Sequence, residues 1–97
     1  MLNRKQYLLT KLAEEANEVA QIALRSQQFQ LESIYGLYSN KQRCHLELNN
    51  LFAVIQMLNT EFGFGFEIDA NQIVKKIGRV NEYYDHSVTC GCVEGKH

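Results

Sequence analysis

The chain has 97 residues, a formal net charge of -1 and a 45% hydrophobic composition, which is enough for one small domain over 1–97 with a modest core unless copies associate. No block of Lys or Arg is present to track a phosphate backbone, and no run approaches the roughly 18 apolar residues of a membrane span, so neither a nucleic acid polymer nor a membrane is an expected partner. The opening MLNRKQY lacks the apolar centre of a signal peptide, and three cysteines, an odd number, do not form a disulfide framework; a soluble, cytoplasmic protein with reduced thiols is expected.

Proline is absent and the apolar spacing is helical almost throughout, which predicts an all-α fold. The first helix should start within the first few residues and end near Ser26. Its seam runs through Leu8, Leu12, Val19 and Ile22 in alternating steps of four and three, and the slot between Leu12 and Val19 is filled by Glu15. Glu14 and Glu18 flank it. Glu15 and Glu18, three residues apart, share one helical face and offer oxygens in one direction. Lys11 can pair with Glu14 or Glu15, a helical ion pair worth only about 0.2–0.5 kcal/mol, too little to offset burying a carboxylate.

The stretch QQFQLESIYGLYSN that follows has no clear period and contains Gly36, so it reads as a connection with one short helical turn. Ser39 or Asn40 can cap the second helix. That helix carries Cys44, Leu48, Leu51, Ile55, Leu58 and Phe62 on one stripe and ends at Gly63. A neighbouring column, Leu51, Val54 and Leu58, has Glu47 as its preceding member, and Asn50 lies on the face of Glu47. Two acids in apolar seams need an escape from burial: ion pairing, protonation or a metal. Two facing helices with Glu15, Glu18, Glu47 and Asn50 supply the oxygen donors that a hard cation such as Mg²⁺ takes together with substrate phosphates.

After GFGFEI, Asp69 and Gln72 resemble a capping box, and Ile73, Ile77, Val80 and Tyr84 form the apolar stripe of a third helix. Its Lys75, Lys76, Arg79 and Asn81 form a cluster able to meet anionic oxygens. In the tail TCGCVEGKH, Cys90 and Cys92 with His86 and His97 are a zinc-compatible set whose spacing matches no standard zinc module, and the expected structure from about residue 87 is a loosely packed, flexible terminus. Aromatic residues such as Phe29, Tyr35, Tyr38 and Phe64 suit either a nucleobase or ordinary packing. A di-iron bundle would need Glu-x-x-His on its helices. Gln42 precedes His45 and Tyr83 precedes His86 at that offset, and the one match, Glu94 with His97, falls in the tail. Three short helices interrupted by carboxylates leave apolar surface that a homodimer or homotetramer would cover.

The strings LAEEANEVAQIAL and LELNNLFAVIQML together resemble the MazG-like all-α nucleoside triphosphate pyrophosphohydrolases, whose pattern is EExxE, a spacer, then ExxD. The spacer here covers 28 residues, 19 to 46, at the long end for that family, and the resemblance extends over about residues 5 to 85. It implies an antiparallel helical bundle completed by oligomerisation, and Mg²⁺-dependent (or Mn²⁺-dependent) hydrolysis of a nucleoside or deoxynucleoside triphosphate to monophosphate and pyrophosphate. Carried over by position, Glu15, Glu18 and Glu47 look like metal-binding acids, Glu14 and Glu15 like the catalytic acids, with Glu14 a base or water-orienting group, and Lys76 and Arg79 like phosphate binders. Asn50 stands where the family has Asp, so the site carries one negative charge less and a weaker hold on its metal. A catalytically inactive nucleotide-binding or helical interaction module is the alternative.

Overall fold

The structure, a computed structural model, describes residues 1–95; His97 of the tail's candidate ligand set lies outside the described residues. The chain falls into two compact units, Met1–Phe66 and a second that starts at Glu67. Both are built mainly from helix, and among the described residues no helix is long and apolar enough to cross a membrane.

Helix α1 spans Arg4–Phe29. Its start is fixed by a reciprocal capping box: the Gln6 amide N–H donates to Asn3 Oδ1 at 2.8 Å, and the Asn3 N–H donates to Gln6 Oε1 at 3.0 Å. The helix runs past its expected end near Ser26, because the buried Ser26 hydroxyl donates back to the Ile22 carbonyl at 2.7 Å and so finds its partner without breaking the turn. Gln30 then takes a positive φ of 77°, and its carbonyl accepts the Asn40 side-chain amide at 2.9 Å.

Where a helical turn was expected, the chain makes a small antiparallel hairpin of β1, Ile34–Tyr35, and β2, Tyr38–Ser39, with Ile34 opposite Ser39 and Tyr35 opposite Tyr38. Gly36, at φ 72°, supplies the left-handed residue that a two-residue hairpin loop requires. Helix α2, Asn40–Phe62, starts on a second capping box. Ser39 Oγ accepts from the Gln42 N–H at 3.1 Å, and Gln42 Oε1 accepts from the Ser39 N–H at 2.8 Å. The loop satisfies further α2 donors: the Asn40 N–H meets the Ser33 carbonyl at 2.9 Å and the Lys41 N–H meets that of Leu31 at 2.8 Å. Gly63 ends α2 in the left-handed conformation, φ 60°, as expected of a C-cap glycine.

Helices α1 and α2 form an antiparallel hairpin. Arg4 near the start of α1 makes a two-pronged ion pair with Glu61 near the end of α2, at 2.9 and 3.1 Å, while Ser26 Oγ lies 3.5 Å from Cys44 Sγ at the other end. The guanidinium holds the Glu61 carboxyl below its ordinary range by hydrogen bonding, but both side chains face solvent and such pairs add little. Stability comes instead from Leu8, Val54 and Leu58, packed with Leu12, with Leu8 and Leu58 each only 1% exposed. The inward column of α2 follows Glu47, Leu51, Val54 and Leu58. Leu48 and Phe62, assigned to the seam by spacing, are exposed instead: two sets of i,i+3/i+4 apolar residues compete along this helix, and the partner α1 selects the one continuous with Val54 and Leu58.

In the second unit, helix α3 spans Ala70–Thr89, with Asp69 as cap accepting the Gln72 N–H at 3.1 Å. None of its residues is buried. It continues past residue 87, where a flexible tail was expected, and the chain after it folds back: the Cys92 N–H donates to the Ser87 carbonyl at 2.9 Å and the Tyr84 hydroxyl to that of Glu94 at 2.6 Å. Gly91, at φ 76°, makes this reversal possible. Cys90 Sγ stands 3.5 Å from His86 Nε2, one helical turn back.

Candidate metal and phosphate cleft

The antiparallel register decides which acids meet. Leu8 packs with Val54 and Leu58 at one end and Ser26 approaches Cys44 at the other, so Glu18 comes level with Glu47 and Glu15 with Asn50. Glu18 and Glu47 line one cleft of about 170 Å³ together with Ile22, Arg25, Arg43 and Leu46. Glu47 is half-buried, whereas Glu18 on α1 and Leu46 on α2 are exposed, so the cleft is open to solvent. Glu15 and Asn50, both half-buried, occupy the next turn of the seam, toward Leu12 and Val54. They do not line the cleft itself.

Glu14 is turned away. It is exposed, and its Oε2 pairs with Lys11 Nζ at 2.9 Å; that hydrogen bond, with the charge of Glu14 behind it, raises the Lys11 pKa. Among the described residues no three His, Cys, Asp or Glu side chains come together closely enough to hold a metal ion. Two carboxylates in one cleft, with a third and an amide oxygen a turn away, fit a cation that keeps waters and completes its shell with substrate phosphate, as Mg²⁺ does. Zinc is the poorer match, since it favours Cys and His donors in a tetrahedral set and neither residue type lines the cleft.

Lys76 and Arg79 lie on α3 in the second unit, where with Gln72 and Lys75 they line a depression of about 310 Å³. The cations in the α1–α2 cleft are Arg25 and Arg43, which the sequence reading did not single out. The signal was available: Arg25 is three residues after Ile22 and Arg43 four before Glu47, on the faces already marked as inward. Arg43 Nη2 donates to the Tyr35 carbonyl at 2.6 Å. Its guanidinium also lies 5.7 Å from the Tyr35 ring and 5.8 Å from that of Tyr38, and that of Arg25 lies 4.3 Å over the Tyr35 ring. Comparison with protein-family models, curated proteins and solved structures finds no match for this chain.

Proposed function

We propose that the chain is a Mg²⁺-dependent nucleoside triphosphate pyrophosphohydrolase of MazG-like type, releasing monophosphate and pyrophosphate. The observation that carries this reading is the convergence of Glu18 and Glu47 on one cleft from two facing helices, with Glu15 and Asn50 on the adjoining turn. Glu18 and Glu47 would hold the cation in the cleft, with Glu15 and the neutral Asn50 amide oxygen as further donors proposed from the adjoining turn. Mg²⁺, when bound, supplies neutralisation of phosphate charge and a water of lowered pKa. The carboxylates would fix its position and orient the attacking water toward phosphorus; Lys76 and Arg79 are proposed as binders of phosphate oxygens in the depression of their own unit. An auxiliary role for Glu14 requires it to release Lys11.

Asn50 favours a second reading, a nucleotide-binding module without turnover, since the site holds one carboxylate fewer than the pattern it resembles. One experiment separates the two: common and modified nucleoside triphosphates are offered with Mg²⁺ or Mn²⁺ and scored for monophosphate and pyrophosphate. Metal-dependent release of both products supports the hydrolase; binding of triphosphate with no release supports the module.

The proposed assembly is a homodimer or homotetramer. Leu24, Ile34, Val74 and Ile77 are each more than half exposed, and the fully buried core is small, so association is the economical way to cover apolar area. Light scattering at micromolar concentration should give at least twice the 11.2 kDa chain mass; a monodisperse, folded monomer rejects the assembly.

A further inference from the structure

Two carboxylates and two guanidinium groups line the same cleft, yet neither Arg25 nor Arg43 makes an ion pair within 4.0 Å with Glu18 or Glu47 among the described residues; the ion pairs formed are Arg4 with Glu61 and Lys11 with Glu14. Both guanidinium groups are engaged by Tyr35 instead. Its ring lies under the Arg25 guanidinium and its carbonyl takes Arg43 Nη2, which leaves Arg43 Nε buried without a hydrogen-bond partner. A cation stacked on an aromatic face keeps its edge donors free for a planar or tetrahedral oxyanion.

We infer that Arg25 and Arg43 form a phosphate-binding wall opposite Glu18 and Glu47, with Tyr35 as the positioning residue that keeps the guanidinium groups off the carboxylates. The cleft therefore takes a ligand carrying both signs, a polyphosphate chain complexed with a divalent cation: its oxygens meet the arginines and its metal meets the acids. This rests on the proposed metal site for the cation half and on the arginine geometry alone for the anion half. The α1–α2 cleft thus binds the phosphate chain through residues of the first unit alone.

The test is calorimetric titration with inorganic tripolyphosphate, in two arms. The first uses the wild-type chain with Mg²⁺; the second uses the Glu18→Gln/Glu47→Gln double variant with EDTA, where the repulsion by the acids is gone and the arginines act without metal. In both, Arg25→Gln and Arg43→Gln should weaken binding roughly tenfold or more, as expected for loss of a charge-assisted hydrogen bond. Lys5→Gln, remote from the cleft, should stay within about twofold, as a diffuse surface charge does. Tyr35→Leu should weaken binding and Tyr35→Phe restore it, a pattern that separates ring stacking from the hydroxyl. Because Arg43 also ties down the hairpin, Arg25→Gln with unchanged helicity by circular dichroism is the deciding variant. Binding in the second arm but not the first keeps the arginine wall and rejects the metal site. No binding in either arm, or equal losses in Arg25→Gln and Lys5→Gln, overturns the inference.

Discussion

Asn50→Asp should tighten Mg²⁺ binding and raise pyrophosphate release, and Glu47→Gln should do the reverse. The two substitutions change the charge of one seam by one unit in opposite senses with almost no change in side-chain size. Both positions are half-buried on α2, a turn apart, so solvent screens them only in part. A charge-assisted contact in such a setting is worth about 1.5–3 kcal/mol, which corresponds to roughly a tenfold to hundredfold change in affinity. The pair is measured together, as Mg²⁺ titrations of binding by calorimetry and of product release by enzyme assay. A gain in Asn50→Asp with a loss in Glu47→Gln places both residues at the cation. Equal behaviour of Asn50→Asp and wild type removes Asn50 from the site, and an unchanged Glu47→Gln removes the metal assignment altogether.

Leu58→Ala should cost about 2–5 kcal/mol, the range for emptying a well-packed leucine site, and should be the most damaging single truncation in the first unit apart from Leu8→Ala. Leu58 is 1% exposed and shares its cluster with Leu8 and Val54, so the cavity it leaves has few neighbours able to collapse into it. A small domain has little margin: total stability is of the order of 5–15 kcal/mol for folded proteins in general. Urea denaturation followed by circular dichroism should show the midpoint falling with little change in slope. Leu48→Ala, on the exposed side of the same helix, is the matched control, and a loss there as large as in Leu58→Ala would mean that the outer face of α2 is covered in solution.

Both ends of α2 and the start of α3 were legible because their signals are local: Ser39 and Asp69 cap, and Gly63 stops, by chemistry within three or four residues of the boundary; the ends of α1 and α3 carry no such stop residue at the expected place. The inward slots of Glu15 and Glu47 were legible for a related reason, since each interrupts an apolar column whose other members identify the face. The hairpin at 34–39 was not, because strands of two residues are too short to show a period of two, and their aromatic residues fit a helix or a loop equally well. Leu48 and Phe62 were misplaced because α2 carries two overlapping apolar stripes, and only the partner helix decides between them. Arg25 and Arg43 continue the columns of Ile22 and Glu47, but that spacing alone does not set them apart from solubilising charges; the ring of Tyr35 beside them does.

The antiparallel α1–α2 hairpin also has a kinetic consequence. Its cross-helix contacts are graded in sequence separation, from 18 residues for Ser26 and Cys44 to 57 for Arg4 and Glu61, with the cleft residues nearer the short end. Closing a loop costs about 0.6 kcal/mol more for each doubling of its length, so the hairpin is cheapest to zip from the β-turn outward. Over this span the difference is about 1 kcal/mol, so loop closure by itself favours joining Arg25, Arg43 and Tyr35 ahead of Leu8 and Leu58, and the cleft lies on the part of the hairpin that is cheapest to close.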